Sequence, residues 1–229
     1  MNGVFVTGTD TGVGKTLACC ALIHALRARG IAVQPMKPVA AGADDLAGLR
    51  SNADTRLLAA AAGQGADRWQ SITPVLLREP MAPHIAAQRE GRRIDLAAVR
   101  ESWDALSRED RFAVVEGVGG FLVPLGPSLD TTDLARLFGL PVVLVVGLRL
   151  GCLNHALLTA QAVAHSGLPL AGWIANRIDP GMPVAEENVA ALAERLPAPL
   201  LGTLPFEATP DPARLAMHLD PGRLPGLPR

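Results

Sequence analysis

A short apolar run, Gly3–Thr7, empties into Gly8-Thr9-Asp10-Thr11-Gly12-Val13-Gly14-Lys15-Thr16. An alanine- and leucine-rich stretch, Thr16–Arg29, follows at once and stops at Gly30, a residue suited to a helix C-terminus. Strand, glycine-rich turn and helix in succession form the context in which backbone N–H groups line a phosphate cradle. Gly12 and Gly14 tolerate the dihedrals such a turn needs, and the helix N-terminus adds a field that favours an anion. Lys15 supplies charge for β- and γ-phosphates, and the Thr16 hydroxyl is placed to ligate Mg²⁺. Between Gly8 and Gly14 the loop is one residue longer than the strict phosphate-loop pattern, and Thr9 stands where that pattern expects glycine.

The rest of the chain agrees with this start. Ala32–Met36, Phe112–Val115, Val142–Val146, Leu170–Ala175 and Leu200–Leu204 are nearly continuous in hydrophobicity, as strands covered on both faces are. Helical stretches lie between them: Asp54–Ala62, with Asp54 as the expected N-cap, Asp95–Ser107, and Asn154–Ser166, which stops at Gly167. The alternation predicts an α/β fold with a doubly wound, mostly parallel sheet of the P-loop NTPase kind. No repeat or linker-like shift in composition interrupts it, so residues 1–229 read as a single domain. Ala40–Gly48 reads as loop, and the Pro/Gly-rich Pro221–Arg229 as a flexible, fraying terminus.

Composition removes several classes of function. With 49% hydrophobic and 19% charged residues the chain packs a core and is not a disordered segment. A net charge of −1 without a long block of one sign argues against nucleic acid or an acidic membrane surface as partner. No apolar run reaches the roughly 18 residues of a membrane span, and no basic n-region opens the chain, so the expectation is a soluble cytoplasmic protein. Cys19, Cys20 and Cys152 are odd in number and form no C-x-x-C pair, which argues against a disulfide framework or a zinc site and for a reducing compartment.

Four segments together resemble the dethiobiotin synthase family. Val6–Thr11 with Val13–Thr16 is similar to that family's version of the loop, longer spacing included. Met36-Lys37-Pro38-Val39 is similar to its Lys-Pro-Val segment, and Glu116-Gly117-Val118-Gly119-Gly120 to its Glu-Gly-Ala-Gly-Gly loop. Gly151-Cys152-Leu153-Asn154-His155 resembles a further family segment, and the likeness runs from near residue 4 to near residue 207. It implies an ATP- and Mg²⁺-dependent enzyme that carboxylates 7,8-diaminopelargonic acid with carbon dioxide or bicarbonate. Ring closure through a carbamate and a carbamic-phosphoric anhydride would then give dethiobiotin, ADP and phosphate. A homodimer is implied as well, with the active site near the subunit interface.

Such chemistry develops negative charge on the carbamate and on the transferring phosphoryl group, so it needs fixed cations. Lys15 and Lys37 are the candidates, Lys37 at the C-terminal end of the second strand, where such sheets bind ligands. The resemblance adds Thr11 to this catalytic set. Thr16, Asp54 and Glu116 are the expected Mg²⁺ partners, Glu116 being a carboxylate directly after a strand. Nucleotide contacts are expected from Gly12, Val13, Gly14, Lys15, Thr16 and Leu17, and from Asp54, Glu116, Gly117, Val118 and Gly119. On the base side the resemblance places Asn176, which ends its strand and reads the adenine edge, with Arg177, Pro205, Phe206 and Glu207. Substrate falls to Lys37 and to Gly151, Cys152, Leu153 and Asn154, whose N–H groups at a helix start suit a carboxylate; in the family this segment serves the partner subunit's site. His84 and His155 are not at metal spacing and read as structural or substrate-adjacent.

Each assignment has an ordinary alternative: a strand-end lysine meeting water, Asp54 or Asn176 as a cap, the glycines as a plain turn, Gly151–Asn154 as helix capping. Two positions depart from the family pattern: Gly12, where some members carry an acid, and Ala41, where a hydroxyl residue often contacts substrate. Other readings are weaker. A partition-type ATPase carries a signature lysine early in the loop, where this chain has Asp10. An amide-forming ligase of corrin synthesis usually appends a glutaminase domain, for which a chain ending at residue 229 leaves no room. Cys152 has no His/Glu pattern that would make it the nucleophile of such a domain.

Overall fold

Residues 2–46 and 48–227 are described by a computed structural model. The apolar runs become β1 (Gly3–Gly8), β2 (Val33–Met36), β3 (Phe112–Glu116), β4 (Val142–Leu148), β5 (Leu170–Arg177) and β6 (Leu200–Leu204). They form one sheet in the order β6-β5-β4-β1-β3-β2, and every pairing in it is parallel. Alternate residues of β1 feed different layers: Val4 and Val6 pack in one buried cluster and Phe5 in another. A strand buried on both faces has no polar side, which is why its sequence is a run and not an alternation.

Seven helices of at least seven residues cover the two faces among the described residues: α1 (Lys15–Ala28), α2 (Ala53–Ala61), α3 (Pro83–Arg89), α4 (Leu96–Leu106), α5 (Thr131–Phe138), α6 (Cys152–His165) and α7 (Ala185–Ala193). α1 lies between the sheet, α2 and the C-terminal turns and buries Ala18 through Ile23 without a break, as a helix hydrophobic all round must. α6 and α7 close a separate cluster around Trp173. No described helix is long and apolar enough to cross a membrane.

Four expectations are corrected. Asn52, not Asp54, caps α2: its Oδ1 accepts from the Thr55 N–H at 2.9 Å, leaving the Asp54 carboxylate in the first turn unused by the cap. Ala40–Gly48 is not plain loop. Val39–Ala41 pairs parallel with Val75–Leu77, and Asp44–Leu46 turns back on Leu49–Ser51. The stretch expected to fray is packed as far as residue 227: Pro221 and Leu224 are buried, and Leu224 joins the cluster around α1. Apolar side chains spaced along it find a hydrophobic surface, and that outweighs its turn-rich composition. Residues 228 and 229 lie outside the described part. Asn176 is the penultimate residue of β5, one earlier than a strand end.

Candidate functional site

Strand order reverses around β1, and the loops that leave β1, β2 and β3 meet at that point. In such sheets the crevice at the C-terminal ends is where ligands bind. Here it is a cavity of about 720 Å³ whose lining includes Thr11, Gly14, Lys15, Lys37, Asp54 and Glu116. Gly12, Thr16, Val118 and Gly119 line it too, as does Ala41, whose methyl brings no hydroxyl. A larger hollow of about 1190 Å³ lies at the opposite, N-terminal ends of the strands, between Arg29–Ala32 and Ser107–Phe112. None of the expected site residues faces it, so size alone is a poor guide here.

The phosphate loop is shaped from both sides. Gly12 and Gly14 take φ of 76° and 81°, the left-handed region that side chains avoid. A Cβ on Gly14 would also stand 2.1 Å from Asn176 Nδ2, which donates to the Val13 carbonyl at 2.9 Å. Asn176 therefore props the loop from behind, and its N–H₂ is committed there. In front, the Asp10 carboxylate accepts from the Thr11 N–H at 2.7 Å and from Arg149 Nη2 at 2.6 Å. The Thr11 N–H and the Arg149 guanidinium hold the Asp10 carboxyl below its usual range. Lys15 curls back so that Nζ donates to the Asp10 carbonyl at 2.8 Å. Burial and the nearby Lys37 push the Lys15 ammonium down to about 8.

Across the cavity, Lys37 leaves β2 with its N–H held by the Ile72 carbonyl at 2.9 Å. Its Nζ lies 2.5 Å from Glu116 Oε1, 3.1 Å from Asp54 Oδ2 and 3.2 Å from the Gly117 carbonyl. Burial alone would lower the Lys37 pKa, but the Glu116 and Asp54 carboxylates outweigh it and the group is raised. Thr16 Oγ1 donates to the same Glu116 Oε1 at 2.9 Å, while Glu116 Oε2 is buried without a partner among the described residues. The glycine loop after β3 is fixed by α5: Thr131 Oγ1 donates to the Phe121 carbonyl at 2.8 Å and accepts from the Val123 N–H at 2.8 Å. That holds Gly119 opposite Thr11, close enough that a Cβ there would lie 3.5 Å from Thr11 Oγ1.

Magnesium, which the resemblance implies, fits this donor set. A hydroxyl, a surface-side carboxylate and a buried carboxylate with an unpartnered oxygen are all hard oxygen donors. They are too few to cage an ion, which suits one that keeps waters and shares phosphate oxygens. Among the described residues no group of three or more His, Cys, Asp or Glu side chains gathers as a metal cluster.

Several expected residues lie outside the cavity. Arg177, Pro205 and Phe206 line a separate cleft of about 550 Å³ with Pro180, Glu186 and His218, and Arg177 pairs with Glu186. Glu207 is turned to Arg214 at 2.7 Å. Gly151–Asn154 opens α6 at the same edge of the sheet; Gly151 and Asn154 are exposed, Cys152 is buried, and none of the four lines the cavity. Val13 is buried under the loop, and Leu17 faces the α1 cluster. Asp10, Arg149 and Thr131 were not anticipated. A charged residue one position past β4 was the available signal for Arg149; the Thr131 contacts leave no local trace.

A parallel sheet that reverses at β1, a phosphate loop running into α1, and a strand-end carboxylate bonded to the loop threonine define a P-loop nucleotide-binding protein. Solved structures carry the same fold at low identity. A ParA family ATPase from Chlorobium tepidum aligns with a TM-score of 0.52 and 16% identity, covering 90% of this chain and 84% of that one. The MinC:MinD cell division complex of Aquifex aeolicus aligns with a TM-score of 0.54 and 14% identity, covering 91% and 82%. Residues 2–214 match a family model described as an AAA domain. Sequence relatives are much nearer. The ATP-dependent dethiobiotin synthetase BioD of Aromatoleum aromaticum is 54% identical over 97% of both chains, and that of Nitrosospira multiformis 52% identical over 97% of this chain and 96% of its own. The chain belongs to the ATP-dependent dethiobiotin synthetase family.

Proposed function

We propose that the chain is an ATP-dependent dethiobiotin synthetase that uses Mg²⁺ and joins carbon dioxide to 7,8-diaminopelargonic acid in biotin synthesis. One observation carries this beyond nucleotide binding: Lys15, Thr16, Lys37 and Glu116, drawn from three strand ends, converge on one cavity. One amine of the substrate attacks carbon dioxide and loses a proton, giving a carbamate. A carbamate oxygen attacks the γ-phosphorus of ATP, ADP leaves, and a mixed anhydride forms. The second amine then attacks the anhydride carbonyl carbon, and the ring closes as phosphate departs. Lys37 faces the carbamate and the phosphoryl group, Lys15 the β- and γ-phosphates, and the loop N–H groups from Gly12 to Leu17 orient the chain of phosphates. Thr11 and the Gly117–Gly119 backbone close the wall opposite. Thr16, Asp54 and Glu116 would hold Mg²⁺, which supplies neutralising charge to the phosphates when bound.

Arg177, Pro205, Phe206 and Glu207 are assigned to the base, the first three lining a cleft of their own, and Asn176 to holding the phosphate loop through the Val13 carbonyl. Gly151–Asn154 are assigned to a substrate carboxylate in the partner subunit of a homodimer. The exposure of Gly151 and Asn154, beside the 96% exposed Leu150, is what supports it. A cytoplasmic location accords with three free cysteines, all buried.

Single-turnover product analysis with ATP, Mg²⁺, labelled bicarbonate and 7,8-diaminopelargonic acid tests the reaction. Label should enter an acid-stable cyclic urea with the wild type and not with Lys37→Ala. ATP binding without acid-stable label would overturn the assignment.

A further inference from the structure

Lys37 stands where a cation is wanted. Its ammonium touches Glu116 and Asp54, and Glu116 Oε1 is shared with Thr16 Oγ1 at 2.9 Å. These are the three side chains assigned above to the metal. Glu116 is only 1% exposed and Lys37 4%, so neither charge is neutralised by water. A buried carboxylate without a counter-charge is strongly disfavoured, and Lys37 satisfies it in the chain by itself. The arrangement cannot survive metal entry unchanged. An octahedral ion bonds its oxygens at about 2.1 Å, and even at the unpartnered Glu116 Oε2 it would share one carboxylate with Lys37, which holds Oε1 at 2.5 Å. Two cations on one buried carboxylate repel each other at short range and low dielectric.

We propose that Lys37 is the resident counter-ion of the metal site, exchanged for the divalent cation when it binds. This rests on the reading of Thr16, Asp54 and Glu116 as metal ligands. Lys37 is anchored at its backbone, beside the end of β2, and its four-carbon stem can swing without moving the strand. The cavity it lines is the space it swings into. Metal entry therefore delivers the lysine charge to the carbamate and γ-phosphate, and the phosphoryl acceptor side is charged only once the metal is in place. Lys15, parked on the Asp10 carbonyl, shows the same resting arrangement on the other wall.

Binding of Mn²⁺ without nucleotide, followed by the EPR signal of the free ion, gives a readout that needs no turnover. Lys37→Met should bind Mn²⁺ at least about tenfold tighter than the wild type, since the competing ammonium is gone while Glu116 stays. Adding Glu116→Gln to Lys37→Met should abolish the gain. Unchanged affinity in Lys37→Met, with Glu116→Gln still weakening Mn²⁺·ATP, would overturn the exchange and leave the ligand assignment standing. If Glu116→Gln leaves Mn²⁺·ATP affinity intact, the ligand assignment fails and the exchange with it. A second measurement uses the wild type only, in case Lys37→Met folds poorly. The buried Lys37 ammonium should give a slowly exchanging ¹⁵Nζ resonance that persists with ADP in chelator and is lost with saturating Mg²⁺·ADP. Its persistence under Mg²⁺·ADP would refute the exchange.

Discussion

The charge on Lys15 is not secure: burial, then Lys37, press its ammonium down to about 8, and Glu116 only partly offsets them. A polyphosphate in the loop gives that ammonium a partner and raises its pKa, so binding takes up a proton in the window that opens near pH 8. The sign follows: affinity is at its full value below about pH 8 and falls as pH rises through it. Calorimetric titration of ADP in chelator should show this decline together with proton uptake near pH 8, and a flat profile across that range would contradict the burial argument. Asn176 poses a different question. Its N–H₂ is spent on the Val13 carbonyl, so removing it should loosen the loop itself. Asn176→Ala is expected to weaken ATP and inorganic tripolyphosphate alike, by about 1–2 kcal/mol. A loss confined to ATP would return this residue to base recognition. No local pattern announces the prop, since its partner is 163 positions away in the chain.

Helix starts decide which carboxylate is available to the site. Asn52 Oδ1 accepts from both the Thr55 N–H and the Thr55 hydroxyl, and that hydroxyl also meets Thr73 at 2.7 Å. Asn52→Ala should therefore cost α2 about 1–2 kcal/mol, read as a lower urea midpoint. Asp54→Asn should leave the midpoint nearly unchanged, because its pairing with Lys37 is partly solvated, yet it should raise the Mg²⁺ concentration needed for turnover. The reverse pattern would make Asp54 the structural residue of the two. In the sequence both Asn52 and Asp54 satisfy the capping rule before an apolar stretch, and choosing the second shifted the helix start by two residues. α5 was missed for a related reason. It has eight residues, and its capping box is Asp130 with Asp133 in place of the usual Ser/Thr with Glu. The hairpin Asp44–Leu46/Leu49–Ser51 is exposed over most of its length, so it shows no buried alternation to read.

Across the whole molecule, the strands and the phosphate loop were legible because strand burial on both faces and a glycine turn both write directly into local sequence. Strand order was not. Glu116 reaches Lys37 across 79 positions only because β3 inserts between β1 and β2, a choice made by packing. The C-terminal segment failed to read for the same reason: Pro and Gly mark turns, and nothing local says that the turns close on a surface. Leu215, Leu219 and Leu224 pack in one cluster with Leu22 and Leu26 of α1. Asp220 N–H donates to the Leu201 carbonyl at 2.7 Å, and Arg223 Nη1 to that of Leu200 at 2.9 Å, so the segment also ties to β6. Leu224→Ala should cost about 2–4 kcal/mol by leaving a cavity at the C-terminal end of α1, with a lower urea midpoint at unchanged slope. Lys15 stands at the other end of that helix, about 20 Å away by its rise per residue. Turnover of the folded variant should accordingly match the wild type at ambient temperature. An unchanged midpoint would mean the segment packs without stabilising. Lost turnover at full folding would mean that α1 transmits strain along its length to the phosphate loop, making the C-terminal turns part of the machinery that sets the loop's shape.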